Sequence, residues 1–220
     1  MLNKTSICVP ITELDINQME KSALNALEVG ADMLEIRIDY MKNPDPERVK
    51  RLVYDLDIPT IVTNRIQSEG GYFTGSEKER SEILIKAGKY SDFIDIELQS
   101  NPKYLEMVIS SANSTIISYH NFKLTPKLEL LLGIVNEEKR LGDIAKFAVM
   151  PRNVNDTLTV LEVLSKVENT IGIAMGDIGK YTRIVGPILG APITYASLNK
   201  GSAPGQLDIE STKILLEKLL

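Results

Sequence analysis

The chain has 220 residues, 43% of them hydrophobic, so it can bury a substantial core, and length alone allows one or two domains. A formal net charge of -5, with no basic cluster, argues against a nucleic-acid surface, and no apolar stretch approaches the length of a membrane span. A single cysteine excludes an internal disulfide, and a single histidine leaves no Cys/His cluster or His pair for a transition metal.

Residues 1–5 lead directly into the apolar run Ser6–Pro10, which is too short for a signal-peptide core. Cys8 sits inside that run and reads as a buried structural thiol, so a cytoplasmic location is expected. The turn after it, residues 10–15, has no glycine and cannot be a dinucleotide-binding Gly-x-Gly-x-x-Gly turn. A helical pattern over residues 18–28 stops at Gly30. The second apolar run, residues 33–38, carries Glu35 and Arg37 at alternate positions and leads to Asp39. A helix is predicted from Pro46 to Leu56, and the third run, residues 60–64, is followed by Arg65 and by Glu69-Gly70-Gly71. Next come a helix over 77–89, a strand over 93–98 and a helix over 102–111. The fifth run, residues 115–120, ends in His120. After a helix over 126–141, the sixth run, residues 144–150, holds Lys146 in its middle. A helix over 155–167 precedes the run 170–175, which leads through Gly176 and Gly179 to Arg183, with room for a short helix before Gly190. The last run, residues 193–196, opens into Ser202-Ala-Pro-Gly-Gln206, whose polar tips and Pro-Gly turn read as a loop able to close over a ligand. A helix over 209–219 follows.

Eight strand–helix units repeat at a spacing of about 25 residues, and the strands are apolar with little alternation, as a parallel sheet covered on both faces requires. Strict alternation leaves a closed barrel or an open doubly wound sheet. Eight units favour the α/β class, a (β/α)8 TIM barrel formed as one domain over residues 1–220. In such a barrel every strand ends on the same face, where ligands bind, and polar side chains recur at six of the eight predicted strand ends.

Lys146 and His120 lie on consecutive strands. A lysine in a buried strand is costly unless its ammonium is paired or its pKa falls, and an amine of lowered pKa can form a Schiff base with a ketone. A histidine one strand away is a natural proton carrier near neutral pH. Taken singly, each residue has a structural explanation. His120 can be a core residue, Lys146 can pair with a buried carboxylate, Glu35 and Arg37 can form an ion pair inside the barrel, Glu69-Gly-Gly can be only a turn, and Arg183 can lie on a helix surface. These explanations weaken when all must hold at one face of one barrel.

The order and spacing of Glu35-Ile-Arg37-Ile-Asp39, Arg65 with Glu69-Gly-Gly71, His120-Asn-Phe122, Asp143-Ile-Ala-Lys146 and Ser202–Gln206 resemble the type I 3-dehydroquinate dehydratase family, over essentially the whole chain. The resemblance implies dehydration of the small molecule 3-dehydroquinate to 3-dehydroshikimate, with no cofactor and no metal, and a homodimeric assembly is common in the family. It implies an imine at Lys146, proton transfer at C2 and to the leaving C1 hydroxyl by His120, and orientation of His120 by Glu69. It also implies that Arg183 holds the substrate carboxylate, and that Glu35, Arg37, Arg65, Ser202 and Gln206 contact ring hydroxyls, carboxylate or lid. The sequence departs from the family pattern at Ile36, Tyr119 and Thr182, none of them a catalytic position. A class I aldolase or transaldolase, and a non-catalytic binding barrel, are the alternatives. The first would use a phosphate site near Gly176 and Gly179, and the second would bind dehydroquinate without turning it over.

Overall fold

A computed structural model describes residues 5–42, 44–198 and 203–220. Its elements run β1 Ser6–Ile11, α1 Ile16–Val29, β2 Met33–Arg37, α2 Pro46–Leu56, β3 Thr60–Thr63, α3 Glu77–Ala87, β4 Phe93–Glu97, α4 Pro102–Ile109, β5 Ser114–Asn121, α5 Leu128–Leu141, β6 Ile144–Val149, α6 Val154–Leu164, β7 Thr170–Ala174, α7 Gly176–Gly179, α8 Thr182–Ile188, β8 Ile193–Ser197, β9 Leu207–Asp208 and α9 Ile209–Leu219. Short 3-10 turns, Ile38–Tyr40 and Gln67–Glu69, follow β2 and β3.

The strands pair in the order β7-β6-β5-β4-β3-β2-β1-β8-β9, and every ladder is parallel. This is the cyclic order of the (β/α)8 barrel expected from the sequence, with no ladder between β7 and β8 among the described residues. The two-residue β9 was not expected. It pairs with β8 just before α9 and so returns the chain from the last loop to the barrel wall.

Local chemistry explains the element ends. Asp15 caps α1 by accepting the Asn17 and Gln18 N–H groups, so the helix starts two residues before the predicted one. Ser76 and Glu79 form a reciprocal capping box at α3. Pro46 and Pro102 occupy first-turn positions, where a missing N–H costs no helical bond. Pro126 instead lies before its helix, which begins at Leu128. Gly30 ends α1 at φ 105°, a left-handed conformation that a side chain would strain. Between Gly179 and Gly190 the chain forms α8 with Pro187 in its last turn.

The base of the barrel carries a repeated device. Asp32, Asp92 and Asp143 each precede an even-numbered strand, and each accepts the backbone N–H of a residue at the start of the preceding strand: Ile7, Thr60 and Thr115 respectively. Buried N–H groups that the sheet leaves unpaired are satisfied in this way. Inward positions are layered. Cys8, Met33, Ile61, Ile116, Ile144, Ile171 and Ile193 belong to an apolar cluster. One pleat further along β2, β4, β5 and β6, the positions become Glu35, Asp95, Ser118 and Lys146. Outward side chains pack against the helices in two further clusters. The apolar layer closes the lower barrel, and the polar layer faces the carboxyl ends of the strands.

Candidate active site

One open cavity of about 540 Å3, mouth included, lies at those carboxyl ends. Eight of the nine residues singled out in the sequence line it: Glu35, Arg37, Arg65, Glu69, His120, Lys146, Arg183 and Gln206. The ninth, Ser202, lies outside the described residues. Gly70, Phe122, Ala148, Ile173, Met175, Tyr195 and Ala203 complete the wall.

Lys146 is buried on β6, and its ammonium is paired. Nζ donates to Asp95 Oδ2 at 2.8 Å and to the Tyr195 hydroxyl at 2.9 Å, with Glu35 Oε1 at 3.7 Å. Asp95 Oδ1 also accepts from Arg65 Nη2 at 2.8 Å and from the Ser118 hydroxyl at 2.7 Å. Burial alone would push the Asp95 carboxyl up, but the Arg65 guanidinium and the Lys146 ammonium outweigh it and hold the group well below the usual carboxylate range. Arg65 is anchored further by Glu97 at 3.1 Å. Glu97 in turn accepts the Ile66 N–H and a 2.6 Å bond from Arg80, a fully buried arginine on α3. The turn carrying Glu69 is therefore fixed from behind by a chain of charge-assisted bonds.

Register brings the histidine to the lysine. Ser118 on β5 pairs with Lys146 on β6, so His120, two residues on, points inward one pleat above the lysine. Glu69 Oε2 accepts the His120 backbone N–H at 2.9 Å and lies 2.9 Å from Nδ1, while Oε1 is buried without a hydrogen-bond partner among the described residues. Burial pushes the Glu69 carboxyl up to about 8 against the pull of Arg65. Burial, with Arg65 and Lys146 adding repulsion, pushes His120 well below its usual value. Both shifts favour an uncharged pair at neutral pH. A carboxyl raised in the folded state holds its proton more tightly there than in the unfolded chain. Its contribution to stability is therefore complete below about pH 4.5 and is lost as pH rises through about 8. Glu69→Gln is expected to gain stability relative to the parent, by a few kcal/mol at most, between pH 5 and pH 9. Urea midpoints at the two values check this, and an identical difference at both would contradict the shift.

The three arginines of the cavity differ. Arg37 does not pair with Glu35. It makes a two-point bond with Asp39, at 2.9 and 2.7 Å, and lies over the Tyr40 ring at 4.9 Å. Arg65 holds Asp95 and Glu97. Arg183, buried at the start of α8, donates only to the backbone carbonyls of Gly205 at 3.1 Å and Pro204 at 3.3 Å, and has no carboxylate partner among the described residues. Burial without a counter-charge lowers its pKa to about 10. Gly205 has φ 75°, and a Cβ there would meet the Gly176 backbone, so this turn is fitted against the end of β7. Gln206 Oε1 accepts the Ala203 N–H at 3.3 Å.

Sequence reading missed Asp95, Ser118, Tyr195 and the Glu97–Arg80 pair as site residues. The signal for the first was present: Phe-Ile-Asp95-Ile-Glu97 sets two carboxylates at alternate positions in an apolar strand, the pattern that singled out Glu35 and Arg37. Tyr195 reads as a core aromatic, and Arg80 as one charge on a solvated helix, until burial is known.

A parallel barrel with a paired lysine, a histidine–carboxyl pair and an uncompensated arginine converging at its carboxyl-end cavity defines an α/β-barrel enzyme acting on a small polar molecule. The model of the Type I 3-dehydroquinase family matches residues 7–219. A 3-dehydroquinate dehydratase of Methanothermobacter thermautotrophicus is 48% identical over 216 residues, covering 98% of each chain. The crystal structure of 3-dehydroquinate dehydratase from Geobacillus kaustophilus superposes with a TM-score of 0.91 at 29% identity, covering 99% of this chain and 91% of that one. The Clostridium difficile type I enzyme, solved with covalent modified comenic acid, gives 0.90 at 28% identity over 98% and 92% of the two chains. This chain belongs to the type I 3-dehydroquinase family.

Proposed function

We propose that the protein dehydrates 3-dehydroquinate to 3-dehydroshikimate through an imine on Lys146, with His120 as the proton carrier. The observation that carries this reading is the paired Lys146 ammonium at the floor of the cavity, one pleat below His120 on the neighbouring strand. The amine, once deprotonated, adds to the ring ketone, and loss of water leaves a protonated imine. That cation withdraws electrons from C2, so the C2 proton becomes removable and the carbanion is held as an enamine. Glu69 Oε2 takes the Nδ1–H of His120, which leaves Nε2 as the base for the C2 proton. The enamine pair then expels the C1 hydroxyl, and the proton on Nε2 leaves with it as water. Hydrolysis releases product and the lysine. The covalently modified ligand in the Clostridium difficile relative is in keeping with a site of this kind.

Arg183 is the arginine proposed for the substrate carboxylate, because Arg37 and Arg65 already hold carboxylates of the protein. A planar guanidinium offers two parallel donors to that group. Arg183→Ala is expected to raise KM about ten- to a hundred-fold, the range of a lost hydrogen bond to a charged group, with a smaller change in kcat. Steady-state kinetics check this, and an unchanged KM would reassign the carboxylate. Glu35, Arg37, Arg65, Ser202 and Gln206 are proposed to contact ring hydroxyls, carboxylate or the closing loop.

The whole chain is proposed to act as one catalytic barrel, in the cytoplasm, where a lone buried thiol such as Cys8 is at home. No helix among the described residues is long and apolar enough to cross a membrane. Exposed Leu130 on α5 and Leu158 on α6 suit the contact of a homodimer. The reaction is tested by borohydride trapping with 3-dehydroquinate, intact mass and peptide mapping. An adduct on Lys146 is expected. Its absence in folded protein would remove the imine route and favour a binding barrel.

A further inference from the structure

Tyr195 is the one phenol among the neighbours of the Lys146 ammonium. It points inward from β8, lines the cavity and is buried. Its hydroxyl oxygen lies 2.9 Å from Nζ, and the same nitrogen sits 4.4 Å from the ring centroid. The lysine donates in that hydrogen bond. The phenolic hydrogen is left over, and no acceptor takes it among the described residues.

We propose that Tyr195 is a catalytic proton donor and acceptor for making and breaking the imine at Lys146, a role that rests on the Schiff-base reading above. When Nζ has added to the ketone carbon, the former carbonyl oxygen is a hydroxyl two bonds from Nζ, within reach of the Tyr195 O–H. Tyr195 gives its proton to that oxygen. The C–O bond breaks, its electron pair leaves with water, and the nitrogen lone pair forms the C=N bond. A phenolate then faces a protonated imine, each offsetting the other's charge. In the reverse sense, the phenolate takes a proton from an incoming water whose oxygen bonds to the imine carbon. The C=N pair returns to nitrogen and the phenol is restored. One water leaves and one is consumed per cycle, with no further reactant.

The other groups beside Nζ are less suited to donate. Asp95 is equally close, at 2.8 Å, but already accepts from Arg65, Ser118 and Lys146 and is held ionised by the two cations, so it can only accept. Glu35 is further away, at 3.7 Å, and accepts the Thr63 hydroxyl. Burial pushes the Tyr195 phenol upward, which keeps its proton in place until a partner charge forms.

Tyr195→Phe removes the hydroxyl and keeps the ring. Wild type and variant, matched for thermal unfolding, are mixed with 3-dehydroquinate and pulsed with borohydride at increasing times. The fraction of Lys146 modified is read by intact mass. The variant is expected to form adduct about 10²-fold more slowly, as for loss of a general acid. With 3-dehydroshikimate its approach to a plateau is expected to be slowed by the same factor, whatever level the loss of the phenolate's charge sets for that plateau. Equal rates would overturn the proposal. A lowered plateau reached at the wild-type rate would also overturn it, assigning Tyr195 to holding the lysine. Absence of adduct in the wild type would overturn the Schiff-base reading itself, a failure told apart from the others by that control.

Discussion

Lys146→Met is expected to lower kcat/KM for 3-dehydroquinate on the order of 10⁴-fold or more, the scale on which removal of a covalent nucleophile is felt. Methionine has nearly the length of lysine and no amine, so neither imine nor borohydride adduct can form. The fold is expected to persist. Asp95 keeps its bonds from Arg65 at 2.8 Å and from Ser118 at 2.7 Å when Nζ is removed. The loss in stability should therefore fall below the roughly 3–5 kcal/mol of stranding a buried charge with no partner. Turnover assays, trapping and urea unfolding on the same preparation check all three statements. Substantial residual turnover would reject Lys146 as the nucleophile, since no other lysine among the described residues lines the cavity.

His120→Ala is expected to separate the two halves of the reaction. Proton transfer should slow by roughly 10²–10⁴-fold, while Lys146 remains free to form its imine. Trapped protein should then carry the substrate-derived adduct, heavier by one water than the product-derived adduct that accumulates in the wild type. A variant that turns over at the parent rate would reject His120 as the base. The wild-type pH profile gives an independent check. Burial, Arg65 and Lys146 all disfavour the imidazolium, so the imidazole stays available as a base to a pH below its usual 6.5. The acid limb of kcat/KM is expected below that value, and a limb centred above 6.5 would show that the histidine is not held neutral as the geometry requires.

The legibility of this site varied with the side chain. Lys146, Glu35 and Arg37 stood out because charged residues inside apolar strands violate the burial pattern around them. Asp95 and Glu97 break the same pattern on β4. Without a cavity to place them in, that break by itself points to no role. Arg80 was illegible. Its helix, Glu77–Ala87, carries several charges of both signs, and only the packing of α3 against β3 and α4 buries that one arginine completely. Tyr195 was illegible for the opposite reason: a tyrosine in a strand fits a core, and its role depends on which group meets its hydroxyl.

Strand and helix identity, the eightfold repeat, the apolar lower layer and the gathering of polar residues at the strand ends follow from local pattern. Period, proline, glycine and capping residues act over a few positions and need no distant partner. The pairings within the site were decided by the tertiary structure. Asp95 reaches Lys146 across 51 positions of chain, and Glu69 reaches His120 across another 51. Arg37 turned to Asp39 rather than to Glu35, and Arg183 meets backbone carbonyls alone among the described residues. Protonation states follow from these contacts. Burial and the nearest charge set a pKa, and both are properties of the closed barrel rather than of any segment of the chain.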